Sequence, residues 1–287
     1  MQKNKDGFDF EPFAKTREYL KVNADIVTTW VDTMLKNGIS GIDSLLDIAT
    51  GSGTMSQLIL ARLPQHWENF VLTCLDQSEE ALSLAKLELV NKVKNLRLVH
   101  SPIQEMKLPD SSIHVAIWGN GIHYLTEEAQ RKSIMRIKHA LKPGGWFFFN
   151  TAFYEGARPI DTLPFYRAQV KKAVQLMREK SIDRNRMESR PEASKFLPRS
   201  YYEKLVEEAS FKIIDTKEFS VNLYKKAWEH ISSFRQYAAG ALHGYAPQEA
   251  AMAMKNAVAI ALANYGQRDE KQESYIPRKW LAISARL

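Results

Sequence analysis

The chain has 287 residues, of which 45% are hydrophobic and 25% charged, and its net charge at neutral pH is +7. This composition is that of an ordinary globular protein and excludes collagen-like, coiled-coil and disordered chains. The single cysteine, Cys74, excludes an internal disulfide and a cysteine-based zinc site, and favours a reducing, cytoplasmic compartment. The first residues lack the apolar segment of a signal peptide, and no apolar run approaches the roughly 20 residues that span a bilayer. We therefore expect a soluble protein.

Positive charge is concentrated in one segment, residues 158–199, which holds eleven basic and five acidic residues. The remainder is nearly neutral, so a nucleic-acid partner is not indicated. Such a segment is most often a solvated helix face. A sharper hypothesis is a cap that offers Arg184 and Arg186 to an anionic substrate, either free or bound to an acidic carrier protein.

The first half of the chain alternates helical patterns with short apolar runs, which is typical of βαβ units and a parallel sheet. One or two helices are predicted over Glu11–Lys36. Further helices are predicted over Met55–Leu63, over Glu79–Val90 behind the cap residue Ser78, and behind the cap residue Thr126. The last of these ends at Leu141-Lys-Pro-Gly-Gly145, where proline and glycine stop the helix and turn the chain. Strands are predicted at Ser44–Ile48, Phe70–Leu75, Leu96–His100, Ile113–Trp118 and Trp146–Thr151.

The second half is mostly helical. Apolar residues at helical spacing predict a helix over about 163–177, another from Ser200, and helix again over 225–265, with Pro247 where a helix can begin. Strands are predicted at Phe211–Phe219 and from Trp280 to the end. The aromatic stripe of Tyr166, Trp228, Phe234 and Tyr237 is more simply explained as core than as a substrate pocket.

The most informative stretch is Leu45-Leu-Asp47-Ile-Ala-Thr-Gly51-Ser-Gly53-Thr54, a buried strand followed by a glycine turn and a helix. Dinucleotide-binding folds use a similar turn and place an acidic residue, here Asp76, about 20 positions later on the ribose. Asp47 distinguishes a dinucleotide site from a site for a cationic ligand such as S-adenosylmethionine. A carboxylate beside the turn would repel the pyrophosphate of a dinucleotide but attract a cation.

These residues, followed by Leu75-Asp76 and Leu141-Lys-Pro-Gly-Gly145, resemble class I S-adenosylmethionine-dependent methyltransferases over about residues 40–151. The form Asp-x-Ala-Thr-Gly-x-Gly is similar to that of quinone-biosynthesis and small-molecule methyltransferases. The resemblance implies an α/β, Rossmann-like fold: a seven-stranded, mostly parallel sheet with helices on both faces and helical caps. It places one antiparallel strand, Trp280–Arg286, beside Phe211–Phe219.

The resemblance also implies site residues. Asp47, Ala49, Thr50, Gly51 and Gly53 would hold the methionine portion of the cofactor. Asp76 and Gln77 would bind the ribose and adenine, Ile103 and Gln104 would flank the adenine, and Asn120 would face the methyl donor. Two departures from the family pattern occur: Leu108–His114 is shorter and has His114 where an aspartate is common, and Trp118-Gly-Asn-Gly121 replaces the motif of enzymes that methylate nucleic-acid bases.

Three residues are candidates for catalysis. His123 and Tyr124 follow the fourth strand, at the edge where open parallel sheets bind ligands. His123 could take a proton from the acceptor, although a packing role is at least as common and methyl transfer often needs only placement of the acceptor. His243 belongs to the late helical insertion and could also face the substrate. No histidine or carboxylate cluster suggests a metal.

The predicted organisation is a single methyltransferase domain over 1–287. Residues 1–40 form a helical lid, 41–151 the cofactor-binding core, and 152–210 and 225–270 substrate caps. The predicted reaction is in-line methyl transfer to a small organic acceptor of secondary or natural-product metabolism, with S-adenosylhomocysteine as the product. The alternatives are an enzyme of this fold that catalyses a cyclisation or rearrangement with bound cofactor, and an RNA or protein methyltransferase.

Overall fold

The computed structural model describes residues 9–67, 69–185 and 191–287. Of the basic residues discussed above, Arg186 and Arg190 lie outside these ranges. The described strands are β1 Ser44–Ile48, β2 Val71–Asp76, β3 Asn95–His100, β4 Ile113–Gly119, β5 Leu141–Thr151, β6 Lys212–Tyr224, β7 Gln267–Arg268 and β8 Ser274–Arg286. The described α-helices are α1 Glu11–Ala14, α2 Arg17–Lys36, α3 Thr54–Leu60, α4 Glu79–Leu89, α5 Glu127–Ala140, α6 Leu163–Glu179, α7 Arg199–Glu208, α8 Lys225–Ser233, α9 Arg235–Ala241 and α10 Pro247–Tyr265.

The chain divides into two compact units. We call one the sheet unit; it comprises Val22–Ala152, Leu197–Phe219 and Trp280–Leu287. We call the other the helical unit; it comprises Phe153–Phe196, Ser220–Lys279 and the described residues up to Lys21. Helix α7, which falls within the predicted cap 152–210, lies in the sheet unit. The single domain over 1–287, with its lid and caps, stays a prediction.

The sheet has the strand order β3-β2-β1-β4-β5-β8-β6. Strands β1 to β5 pair in parallel, and β8 runs antiparallel to β5 with Trp146 opposite Arg286. The predicted fold class and the antiparallel strand between β5 and β6 are therefore confirmed. The two-residue strand β7, which pairs with β8, brings the number to eight instead of seven. It was too short for any sequence pattern to reveal.

The core of the sheet unit is aromatic. Trp146, Phe147, Phe148 and Phe149 in β5 are fully buried, and alternation along the strand sends them to opposite faces. Trp146 stacks on Phe148 with ring centroids 5.5 Å apart, and Trp30 from α2 stacks on Phe148 at the same distance. Helix α2 thereby packs against this face of the sheet, which explains why the apolar residues of the helix form a buried stripe.

The Leu141-Lys-Pro-Gly-Gly145 stretch is not the turn that was predicted. Helix α5 ends at Ala140 and β5 begins at once, with a shift of register between the pairs Ile113/Leu141 and Val115/Trp146. Gly144 has a φ of +77°, and its N–H donates to the carbonyl of Leu287. The proline and glycines therefore form an irregularity within a strand, because the antiparallel end of the chain supplies a partner that the local sequence does not contain.

The predicted helix caps are confirmed. The Ser78 hydroxyl accepts a hydrogen bond from the Ala81 N–H, and the Thr126 hydroxyl accepts one from the Ala129 N–H, both at 3.2 Å. Each satisfies a backbone donor that the first helical turn leaves unpaired.

Helices α6, α8 and α10 form the core of the helical unit. The predicted helical region 225–265 is three helices, and Pro247 occupies the first position of α10. Gln169 of α6 is fully buried, and its amide donates to the Ser232 hydroxyl at 2.8 Å and the Met254 carbonyl at 3.1 Å. The aromatic stripe is buried, with Phe165 and Trp228 in ring contact at 4.9 Å.

Candidate active site

The glycine turn after β1 is held in an uncommon backbone conformation. Ala49, Gly51 and Gly53 have φ values of 52°, 57° and 86°, in the left-handed region that a residue with a side chain rarely adopts. The Thr50 N–H donates to the carbonyl of Leu75 at 3.1 Å, which ties the turn to the end of β2. Strain at Ala49 is of the kind that persists where neighbouring structure overdetermines the backbone, often at a ligand site.

Asp76 links the same turn to β2. Its Oδ2 accepts from the Gly51 N–H and its Oδ1 from the Ser78 N–H, each at 2.8 Å. Burial raises the pKa of this carboxyl, and the backbone donors oppose the rise. The predicted ribose ligand is thus also the organiser of the turn. Each carboxylate oxygen keeps a second lone pair that can accept from a hydroxyl.

Asp47 lies inside β1 and is only 1% exposed. The Ser56 hydroxyl donates to its Oδ2 at 2.6 Å, whereas its Oδ1 has no hydrogen-bond partner among the described residues. Burial, together with the nearby Asp76 carboxylate, raises the Asp47 pKa to about 7 against the lowering effect of the hydrogen bonds from Ser56. A cation near Oδ1 would favour the ionised form, so this acid is poised to respond to positive charge.

The loop after β4 leaves no room for side chains. A Cβ on Gly119 would lie 2.4 Å from Met55 Cγ, and one on Gly121 would lie 2.9 Å from Ala49 Cβ. Between them Asn120 has a φ of 52°. The backbone after β4 therefore packs closely against the side chains of Ala49, in the turn after β1, and of Met55, in α3.

The side chain of Asn120 is engaged in a polar network. Its Oδ1 accepts from the Trp280 indole N–H at 2.8 Å, and its Nδ2 donates to Asn23 Oδ1 at 3.2 Å. Asn150 donates to the same Asn23 oxygen at 2.8 Å, and its own Oδ1 accepts from the Asn120 N–H at 2.9 Å. Sequence reasoning missed Asn23, Asn150 and Trp280. An asparagine on the apolar stripe of α2 was the one available signal.

The remaining predicted cofactor residues lie at neighbouring strand ends. Ile103 and Gln104 form a single 3-10 turn after β3, where Ile103 is buried and the Gln104 Oε1 is a buried acceptor with no partner among the described residues. Gln77 is exposed, and its carbonyl lies 2.9 Å from His100 Nε2.

The predicted catalytic residues lie in both units. His123 is 3% exposed in a 3-10 turn after β4; its Nδ1 lies 3.0 Å from the Thr151 hydroxyl and its ring centroid 4.1 Å from that of the half-buried Tyr124. All three residues belong to the sheet unit. His243 belongs to the helical unit, where its Nδ1 and its carbonyl each lie 2.8 Å from guanidinium nitrogens of Arg184.

These residues fit S-adenosylmethionine better than an anionic dinucleotide. Among the predicted cofactor residues, Asp47 Oδ1, Gln104 Oε1 and the Asp76 carboxylate are buried acceptors. Adenine and ribose, which both ligands carry, supply donors for Gln104 and Asp76. At Asp47 the ammonium group of S-adenosylmethionine supplies a donor and a positive charge, whereas a pyrophosphate supplies only more acceptors. The glycines of both loops also permit close backbone approach.

The described ranges hold no group of three or more histidine, cysteine, aspartate or glutamate side chains placed to bind a metal ion. Within the same ranges, none of the helices combines the length and apolarity needed to cross a membrane.

The sheet unit also has a surface hollow of about 630 Å³, which is lined by Pro64, Trp67 and Lys94 among others. None of the predicted site residues lines this hollow.

Comparison with known sequences identifies the central part of the chain. Residues 45–145 match the family described as Methyltransferase domain. Among curated proteins, the ubiquinone/menaquinone biosynthesis C-methyltransferase UbiE of Rickettsia bellii is 27% identical over 120 residues, which are 41% of this chain and 48% of that protein. The Legionella pneumophila protein of the same name is 25% identical over 122 residues, or 41% and 47%. The chain thus spans about half the length of the curated relatives it matches.

Solved structures share the fold. A Bacillus halodurans protein assigned only provisionally as a methyltransferase superposes with a TM-score of 0.56 at 15% identity, covering 89% of this chain and 96% of its own. The [4+2]-cyclase SpnF superposes with a TM-score of 0.51 at 15% identity, covering 92% and 78%. At such identities the likeness concerns the fold and not the reaction. Over residues 45–145, the chain therefore matches a methyltransferase domain family, and these solved structures share its fold.

Proposed function

We propose that this chain transfers a methyl group from S-adenosylmethionine to a small organic acceptor. The observation that carries the proposal is the match of residues 45–145 to a methyltransferase domain, within which Asp76 holds the strained turn after β1 and Gly121 packs against Ala49 of that turn. When bound, the cofactor supplies an electrophilic methyl group on a sulfonium, and S-adenosylhomocysteine is left after transfer.

The roles proposed for the residues follow from their chemistry. Asp76 accepts from the ribose hydroxyls while its backbone donors keep the glycine turn in place. Gln77, Ile103 and Gln104 surround the adenine, and the free lone pairs of Gln104 accept from its amino group. Asp47, with Ala49, Thr50, Gly51 and Gly53, holds the methionine portion by charge and by close backbone approach. Asn120 shapes the loop that faces the donor.

His123 is the proposed base for acceptors that must lose a proton. Thr151 lies 3.0 Å from its Nδ1 and orients the ring, so Nε2 is the atom proposed to take the proton. Tyr124 packs on the imidazole and would fix its plane. His243 is a weaker candidate, because both its ring and its carbonyl are occupied by Arg184.

A small acceptor is supported by the curated relatives, whose names state that they are C-methyltransferases of ubiquinone/menaquinone biosynthesis. Natural-product or secondary metabolism and a cytoplasmic location remain predictions. The cyclisation alternative keeps the cofactor but moves no methyl group, so transfer of an isotope-labelled methyl group to product excludes it. The RNA or protein alternative changes only the acceptor, so the mass of the methylated acceptor identifies it.

The test of the proposal is thermal unfolding of the whole chain during titration with S-adenosylmethionine and, separately, NAD. A ligand present at about 100 times its dissociation constant stabilises the native state by about 2.7 kcal/mol. We expect stabilisation by the methyl donor alone. Asp76→Ala should abolish it, and Asp76→Asn, which keeps an acceptor for one backbone N–H, serves if the alanine variant does not fold. Replacing the exposed Asp110 by alanine is the matched control. Stabilisation by NAD, or by neither ligand, contradicts the proposal.

A further inference from the structure

Two arginine side chains share one aromatic cluster in the helical unit. The guanidinium carbon of Arg158 lies 4.0 Å from the ring centroid of Phe196 and 4.6 Å from that of Tyr166. The guanidinium carbon of Arg278 lies 5.6 Å and 5.8 Å from the same two centroids. Both positive charges are therefore held against the same pair of rings.

The cluster is closed by two further rings. Phe153 lies 5.6 Å from Phe196 and 6.3 Å from Tyr237, and the Arg278 guanidinium carbon lies 5.4 Å from Phe153. Arg278 Nη1 donates to the Tyr166 hydroxyl at 3.2 Å. Aromatic faces attract cations, but each such contact is worth only about 0.5–2 kcal/mol. For the buried Arg158 guanidinium, contacts of this size are a weak compensation for the loss of water.

Burial and a neighbouring like charge both disfavour the charged form of the Arg158 side chain. Its Nε is buried and has no hydrogen-bond partner among the described residues. Burial lowers the Arg158 pKa, and the neighbouring Arg278 lowers it further. The groups that oppose this are the hydroxyls of Tyr237 and Tyr166, so in the described ranges no carboxylate acts as a counter-ion to Arg158. Arg278 itself is 3% exposed.

A pair of buried guanidinium groups with an unused donor is what an anion requires. We propose that Arg158 and Arg278 form a binding site for the carboxylate or phosphate group of a small ligand, whose apolar body packs against Phe153, Phe196 and Tyr166. A carboxylate or phosphate oxygen would complete the hydrogen bonds of Arg158 and neutralise the repulsion between the two cations. Aromatic walls favour a ligand with an unsaturated or aromatic body.

This assignment names other residues than the hypothesis drawn from the basic segment, which stays a prediction. Arg158 is the first of the eleven basic residues in 158–199, but Arg184, which the sequence singled out, already donates to His243. The binding site does not rest on the proposed methyl transfer, because its test measures binding without the methyl donor.

The test is calorimetric titration of the full chain, at fixed ionic strength, with benzoate, phenyl phosphate and the neutral control phenol. We expect at least one anion to bind at least tenfold more tightly than phenol, and the stronger of the two identifies the group as carboxylate or phosphate. Arg158→Gln should raise that dissociation constant at least tenfold. Arg167→Gln, at an exposed position of α6 in the same segment, should change it less than twofold.

A second measurement separates binding from a purely structural role. Without anion, Arg158→Gln should unfold at the same temperature as the wild type or higher, because it removes a buried charge that another charge repels. If the glutamine variant does not fold, Arg158→Lys is used instead, because lysine keeps the charge but lacks the paired N–H donors of the guanidinium group. The lysine variant should also bind the anion at least tenfold more weakly. Binding of both anions no tighter than phenol, or unchanged affinity in the Arg158 variants, overturns the proposal.

Discussion

The sheet unit and the helical unit place polar groups in their interiors by different means. In the sheet unit, the polar groups follow the ends of adjacent parallel strands, so Asp47, Asp76 and Asn120 are brought to one edge by backbone pairing. In the helical unit, Arg158, Phe196 and Arg278 meet although they are far apart in sequence and share no motif. Repeated strand connections therefore produce a site that local patterns reveal, whereas packing of side chains produces one that they do not.

The largest effect expected from this difference concerns Asp47. Its pKa is raised from 3.8 to about 7 by burial, so the native state binds the proton more tightly than the unfolded chain does. The free energy of unfolding should therefore fall as the pH rises from about 4 to about 7, by up to about 4 kcal/mol. Asp47→Asn should remove this decline, as measured by urea unfolding across that pH range.

Asp43→Asn is the matched control for Asp47. Although burial alone would raise the Asp43 pKa, its bonds to Lys142 and Ser44 lower it, and its side chain is 59% exposed. The Asp43 carboxylate therefore contributes to the free energy of unfolding above its unfolded pKa, and this contribution is lost on acidification. The pH dependence has the opposite sign to that of Asp47, and it is small because the side chain is exposed. The same pH slope in Asp47→Asn as in the wild type would contradict the assignment of the decline to Asp47.

The next effect concerns the backbone contact between the turns of the sheet unit. Gly121→Ala would place a Cβ 2.4 Å from Trp118 Nε1 and 2.9 Å from Ala49 Cβ. We expect the free energy of unfolding to fall by about 1–3 kcal/mol, the usual cost of overpacking, and affinity for S-adenosylmethionine to fall at least tenfold. Calorimetry and chemical unfolding measure the two quantities.

Gly41→Ala is the control, because a Cβ there meets nothing within 4 Å. It should change stability by less than about 0.5 kcal/mol. Normal donor affinity in Gly121→Ala would show that the donor does not use the meeting point of these turns.

The smallest effect concerns the helical unit and its buried amide. Gln169→Leu removes the donor that serves Ser232 and Met254, which should cost about 1–2 kcal/mol because two buried acceptors each lose a hydrogen bond. Affinity for S-adenosylmethionine should be unchanged, since each residue placed with the cofactor belongs to the sheet unit. Gln175→Leu, at an exposed position of the same helix, should be nearly neutral in unfolding experiments. Weaker donor binding in Gln169→Leu would break the distinction between the units.

Much of the sheet unit could be predicted from local patterns. The alternation of strand and helix and the caps at Ser78 and Thr126 are confirmed, as is the antiparallel last strand, which the family resemblance implied. The predicted end of helix α5 before Leu141 is also confirmed, but Leu141–Gly145 forms an irregular start of β5 and not a separate turn. Gly144 and Gly145 exchange backbone hydrogen bonds with Leu287 there, and no local signal announces such a distant partner. The roles of the individual site residues stay predictions.

By itself, the sequence determined the order of strands and helices over residues 45–145 and the positions of the glycine turn and of Asp76. Strand periodicity and glycine placement are local properties, and they leave few topologies for such a chain. Only the tertiary structure decided that Asn23, Asn150 and Trp280 hold the Asn120 loop, and that Arg158 lies beside Arg278 without a carboxylate in the described residues. The physical reason is that hydrogen-bond partners and counter-ions are selected by proximity in space, which the spacing of residues along a chain does not encode.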